Sequence, residues 1–303
     1  YLIFMASKIR LITLYDFIYE CYNTELKWQC QRFSSNGHQG FFTDEELLTC
    51  YLFSIIEEEK FLLKKSYQFI AKYWADWFPD LPSYQAFNQR LNRLAPILQD
   101  LVAMLSMLLI TAETTLCRDG LLDSFPIQLS SGKRKSKVAS NYSVKSYCST
   151  KDKYYHGVKC HLMAMSRDGQ LPIPVWIKIS PGDAHDTTPI KLDAHLFRDQ
   201  RIFADKAYDF ETIKAPLRSQ NCEVITPQKA GNREPKWEQQ QNLAYRNILQ
   251  RTVSAVRQPI ESLFNWLNEK TNIQNASKVR SKKGLWVHVF GKIAAALLLM
   301  LKF

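Results

Sequence analysis

Three carboxylates and one guanidinium have the setting and spacing to do chemistry in this chain. Asp123 lies inside Leu121–Ile127, an apolar run (Leu-Leu-Asp-Ser-Phe-Pro-Ile) that reads as a buried strand. A charge there is costly unless it is paired or bound to metal. Asp205 ends a second short apolar segment within Arg201–Tyr208, and Glu261 lies on a helical stretch, Arg257–Trp266. Strand, strand and helix carboxylates, all past the chain's first third, form the skeleton of a two-metal phosphoryl-transfer site. Asp119 shares strand parity with Asp123, and Asp209 follows Asp205 by one helical turn. Asp123 and Asp205 are preferred because each sits in the apolar strand itself. Asp183, His185 and Asp186 resemble a metal cluster, but their place just after a strand favours helix capping, with His185 near the site.

The elements that must hold these groups change character along the 303 residues. Residues 6–112 read as almost wholly helical. Thr43-Asp-Glu-Glu46 is a capping box that opens an apolar-periodic run. A second helix, about 60–78, is stopped by Pro79 and Pro82, and Ser83 caps a third. That third helix carries Gln85, Asn88, Gln89, Arg90, Asn92 and Arg93 opposite its apolar stripe. These side chains suit base edges and phosphates, although a plain solvated face is the alternative, and no helix-turn-helix pattern stands out. Pro96 breaks or restarts the helix.

From Leu116 the pattern turns to short strands: 121–127, then 155–165 and 171–179 joined by a turn at Arg167-Asp-Gly169. A helix (186–198), a strand (201–205), a helix (210–218) and a strand (223–227) follow. A loop over 228–241 leads to a long helix ending near Lys270. The order β-β-β-α-β-α-β-α means a mixed sheet flanked by helices, an α+β or α/β class. The expected division is 1–112 as a helical DNA-binding domain and 113–303 as a catalytic domain that includes the C-terminal helix.

The net charge of +11 points to a polyanionic partner. Lys133, Arg134, Lys135 and Lys137 lie between the first two strands, and Lys278 and Arg280 precede the last helix. Flanking the carboxylates, the two clusters suggest a positive groove for a phosphate backbone. Seven scattered cysteines with no Cys-x-x-Cys argue for reduced thiols and against a zinc site. No run of about 18 apolar residues is present, so no membrane span is expected. Met5 reads as the natural start, without a signal peptide.

Asp123-Ser-Phe-Pro-Ile127, Tyr155-His-Gly-Val-Lys-Cys-His-Leu162, Pro181-Gly-Asp-Ala-His-Asp186, Ala204-Asp-Lys-Ala-Tyr208 and Arg257-x-x-x-Glu261 occur in that order. Together with Lys283–Ala294, they resemble bacterial insertion-sequence transposases of the DDE type, most closely the insertion sequence 982 family, over roughly residues 5–303. The resemblance implies a ribonuclease-H-like catalytic domain and an Asp123, Asp205, Glu261 triad holding two Mg²⁺ ions, with Mn²⁺ able to replace them. It further implies double-stranded DNA as partner, both terminal inverted repeats and target, a homodimer on DNA, and a bacterial cytoplasm and nucleoid setting. Arg257 then contacts DNA phosphate or orients Glu261, the alternative being a plain ion pair with Glu261 along the helix. The related Tyr-x-x-Arg-x-x-x-Glu-x-x-x-x-x-x-Lys pattern is broken by Ser254 and Asn268, leaving Lys270 as the candidate lysine. Pro259 implies a kink, or a new helix beginning there. A DNA-binding protein with a decayed nuclease, and a nuclease of the same fold without strand joining, are the alternatives in function.

Overall fold

A computed structural model describes residues 2–30, 41–113, 119–133, 143–148, 152–227 and 236–303. In chain order the helices α1 (Leu2–Cys21), α2 (Lys27–Gln29), α3 (Asp44–Glu58), α4 (Leu63–Tyr73), α5 (Tyr84–Arg93) and α6 (Ala95–Ala112) come first. Then come strands β1 (Asp119–Ser131), β2 (Val144–Cys148), β3 (Lys153–Met165) and β4 (Ile173–Pro181), helix α7 (Thr187–Asp193), strand β5 (Arg201–Ala204), helix α8 (Glu211–Arg218), strand β6 (Glu223–Ile225), and helices α9 (Lys236–Thr271) and α10 (Lys282–Met300). The chain forms two compact units, 110–266 and a helical unit made of 1–109 with 267–303. The sheet-bearing unit starts at 110, near the 112/113 division read from the sequence, and α10 falls in the helical unit.

Within the helical unit, α3 is the buried centre. Thr43 Oγ1 accepts from the Glu46 N–H at 3.2 Å while Glu46 Oε2 accepts from the Thr43 N–H at 2.6 Å, completing the capping box. Leu47, Leu48, Leu52, Phe53 and Ile55 are sealed from solvent. The Tyr51 hydroxyl donates to the Val287 carbonyl of α10 at 3.2 Å. Close approach there demands Gly291, where an added Cβ would lie 2.5 Å from the Tyr51 ring. Pro96 sits in the first turn of α6, where a missing N–H costs nothing, so it restarts the helix. By length and composition α6 and α10 could each cross a membrane, but α10 is mostly buried as a core helix of this unit.

Unit 110–266 is built on a six-stranded sheet, ordered β2-β3-β1-β5-β6, with β4 also on β3. One edge of β3 carries β1 antiparallel; the other carries β2 against its first half and β4 against its second. β1–β5 and β5–β6 are parallel; α7 leads from β4 into β5, and α8 joins β5 to β6 as a βαβ crossover. This is the mixed, ribonuclease-H-like sheet expected, with β2 as an addition. One sheet face packs Leu122, Met163, Trp176, Ile202 and Ala204 against Ile190, Phe197, Ile213 and Leu217. The opposite face meets α9, where the Phe125 and Phe264 rings lie 4.7 Å apart. Gly157 is required where β3 crosses β1, because a Cβ would fall 2.1 Å from the Ile127 carbonyl oxygen. α9 begins at Lys236, inside the segment expected to be loop, and runs unbroken past Pro259, so no new helix starts there.

The end of α9 is closed by α10 side chains. Asn272 takes φ +50°, Lys292 Nζ donates to its carbonyl at 3.0 Å, and His288 Nε2 donates to the Ile273 carbonyl at 2.8 Å. Burial pushes the Lys292 pKa down to about 7 and that of His288 down to about 3. Between pH 7 and 10.5 the unfolded chain binds the Lys292 proton and the folded chain does not, so stability rises with pH across that window. We expect the wild type to gain on Lys292→Met by on the order of a few kcal/mol between pH 7 and 10 in chemical denaturation. Parallel pH profiles for the two proteins would exclude a buried, neutral Lys292.

Candidate active site

The register of β1 and β5 sets the first two carboxylates side by side. Leu122 pairs with Ala204 in the parallel ladder, so the next residue on each chain is an aspartate, Asp123 and Asp205, where β5 ends and β1 runs on. The outer ends of parallel strands are the usual place for ligands in such sheets. Each carboxylate bends back on the following backbone: Asp123 Oδ1 accepts from the Ser124 N–H at 2.8 Å, and Asp205 Oδ1 from the Lys206 N–H at 2.6 Å.

Arg257, buried on α9, reaches between them. Its Nη2 lies 2.9 Å from Asp123 Oδ2 and its Nη1 3.7 Å from Asp205 Oδ1. The intrahelical pair with Glu261 is therefore not the partnership adopted; both ion-pair partners come from the sheet. Glu261, one turn further along α9, is exposed, and its charge reaches Asp123. Burial pushes the Asp123 carboxyl up to about 6, against the pull of Arg257 and the Ser124 N–H, with Asp205 and Glu261 adding to the rise. Asp123 thus sits in a field that disfavours its charge unless a cation stays close. The rival carboxylates are spent elsewhere: Asp119 forms a two-pronged pair with Arg201 at 2.7 and 2.9 Å, and Asp209 pairs with Lys214 at 2.5 Å.

A fourth carboxylate joins the site against expectation. The Asp186 side chain makes no cap bond to α7. Its Oδ1 instead accepts from Ser124 Oγ at 3.1 Å and from the Lys159 ammonium at 3.0 Å, and stands 4.0 Å from His161 Nδ1. The ordered motif containing Asp186 was the available signal; a position just before a helix suggested capping, and the strand neighbours outcompete it. His185, the other residue expected close by, bonds Thr187 and packs edge-on against Phe210.

The remaining candidates separate by setting. Arg90 is engaged inside the helical unit, donating to the Phe42 carbonyl at 2.7 Å and to Asp44 at 2.8 Å, so it braces the start of α3 rather than facing outward. Arg93, Lys133, Lys278 and Arg280 are exposed. Lys270 lies about half a turn round α9 from Glu261, on the other side of the helix, and pairs with Glu269 at 3.1 Å. Arg134, Lys135 and Lys137 lie outside the described residues.

The donor set is oxygen-only, the kind that suits Mg²⁺ or Mn²⁺. Among the described residues no three acidic, histidine or cysteine side chains converge as they would around a bound ion; the two aspartates converge on a guanidinium. Arg257 therefore carries the compensating charge, and Arg257→Met should destabilise the cation-free protein by about 3 kcal/mol. Arg201→Met, at a largely exposed pair, should cost at most about 1 kcal/mol. Urea titration of both variants checks this, and equal losses would deny Arg257 its role.

Comparison with curated proteins finds no match, and comparison with solved structures finds none. A family model described as the transposase DDE domain matches residues 118–299, which include β1, β5 and all of α9 and so every residue of the carboxylate site. The chain belongs to the DDE-domain transposase family.

Proposed function

We propose that this transposase binds the terminal inverted repeats of its own insertion sequence, nicks the element ends and joins the freed 3′-hydroxyls to target DNA. The observation that carries the reading is the meeting of Asp123, Asp205 and Arg257, with Glu261 in their field, in a chain of the DDE family. Within that family the ordered motifs favour the insertion sequence 982 group. The working place of such an enzyme is the bacterial cytoplasm, on the nucleoid.

In this reading Asp123, Asp205 and Glu261 hold two Mg²⁺ ions, with Mn²⁺ as substitute. Bound there, the ions supply Lewis-acid stabilisation of the attacking and leaving oxygens. Asp123 and Asp205 are fixed by adjacent strand ends and by their own backbone bonds, so they need little reorganisation to act as ligands. Arg257 neutralises both until cationic charge arrives, and then serves a DNA phosphate. Lys133, Arg134, Lys135, Lys137, Lys278 and Arg280 contact backbone phosphates, and Lys270 does so away from the triad. In the helical unit Arg93, with exposed Gln85 and Gln89, reads the element end. Two ends processed together require a homodimer on DNA.

Cleavage of a labelled element end tests the assignment. Wild type should nick only with Mg²⁺ or Mn²⁺, and Asp123→Ala and Glu261→Ala should fall to background while still shifting the DNA. Cutting by Asp123→Ala at the wild-type rate would sink the triad. Tight binding with no cutting by wild type itself would identify a decayed nuclease, and nicks without joined products would identify a plain nuclease.

A further inference from the structure

Three buried polar atoms around the carboxylates have no hydrogen-bond partner among the described residues: Tyr208 Oη, His161 Nδ1 and Arg257 Nε. They come from three different elements, the turn after β5, strand β3 and helix α9. Leaving a buried donor or acceptor unpaired is costly, and native proteins rarely do so without a purpose.

Tyr208 is the most telling of the three. The residue is 2% exposed, and its ring packs in the core beneath the sheet. Its hydroxyl lies within the field of Asp186, Asp123, Arg257 and Asp205. Burial first, and then those carboxylates, push its pKa well above the ordinary phenol value, so it keeps its proton and remains a donor.

His161 shows the complementary face. Ser180 Oγ donates to the Pro181 carbonyl at 3.2 Å, so it accepts from His161 Nε2 at 2.7 Å. Nδ1 is then a bare acceptor, 4.0 Å from the Asp186 oxygen. An acceptor facing a carboxylate needs a donor between them, since separations beyond about 3.5 Å are bridged rather than direct. Tyr208 Oη feels the charge of Asp186, and His161 Nδ1 stands 4.0 Å from it, and neither atom has a hydrogen-bond partner among the described residues.

We propose that Tyr208 is a positioning residue of this site, its hydroxyl orienting an oxygen ligand, solvent or substrate phosphate, held among Asp123, Asp205 and Asp186, with His161 Nδ1 near Asp186 as a second contact. The proposal rests on the cation-binding role given above to Asp123 and Asp205. Outer partners of this kind typically change metal affinity or activity by about 10-fold to 100-fold.

Tyr208→Phe removes one oxygen and keeps the ring. Deleting a hydroxyl that bonds no protein atom should leave the Tm of the cation-free, DNA-free chain unchanged or slightly raised. If the oxygen ligand is solvent, Mn²⁺ affinity without DNA, read by electron paramagnetic resonance of free Mn²⁺, should weaken about 10-fold. If it is a phosphate oxygen, Mn²⁺ affinity without DNA should hold while cleavage of the element end in Mn²⁺ falls about 10-fold or more. A lowered Tm, or Mn²⁺ affinity and cleavage both equal to wild type, overturns the proposal. Asp123→Asn serves as control: if it binds Mn²⁺ as tightly as wild type, the carboxylate reading fails, a result distinct from any of those for Tyr208→Phe.

Discussion

A carboxylate buried at a strand end beside a second one, as Asp123 is beside Asp205, holds its charge poorly unless positive charge stands close. Arg257 meets that constraint, and much of unit 110–266 follows from it. The parallel pairing of β1 with β5 brings the carboxylates together. The long helix α9 must pass close enough for a guanidinium to reach both, which the contact between Phe125 and Phe264 secures on the same sheet face.

Around that centre the polar side chains are arranged in depth. Asp123 is held by its own backbone and by Arg257, and Ser124 next to it reaches the other way to Asp186. Lys159 and His161 on β3 approach Asp186 in turn. Four acidic groups, two strong cations and a neutral imidazole thus share one end of the sheet, a density of charge that a stability-driven core would avoid. Such concentrations of perturbed groups are characteristic of sites where chemistry is done.

Much of this was readable from local signals. Thr43 and Glu46 announce α3 through reciprocal capping, and the alternation of Val158, Cys160, Leu162 and Ala164 announces β3. Asp123 and Asp205 stand out as charges inside apolar strands, and the register of β1 with β5 sets them side by side. What local signals missed is long-range. β2 is five residues without an apolar stripe and exists because the start of β3 offers it an open edge. Helical spacing offers Glu261 as one possible partner of Arg257, and no sequence signal reveals the strand-end aspartates that it pairs with. Asp186 looked like a cap since nothing nearby in sequence reveals Ser124 and Lys159. The membership of α10 in the helical unit rests on contacts such as Tyr51 with Val287, across most of the chain. Glycines are intermediate: Gly157 and Gly182 mark motifs, but only the fold shows that Gly157 leaves room for the Ile127 carbonyl and Gly182 for the backbone of Gly157.

The 134 residues that separate Asp123 from Arg257 have a consequence for synthesis. β1 leaves the ribosome long before α9, so a nascent chain carries two strand-end aspartates with no countercharge until its last quarter emerges. Contacts so distant in sequence form late and slowly. The carboxylate cluster is therefore assembled only on a finished polypeptide, and fragments released early carry strands but no complete site. The ion pairs that tie the two strand ends to α9 therefore form only near the end of synthesis, when Arg257 has emerged.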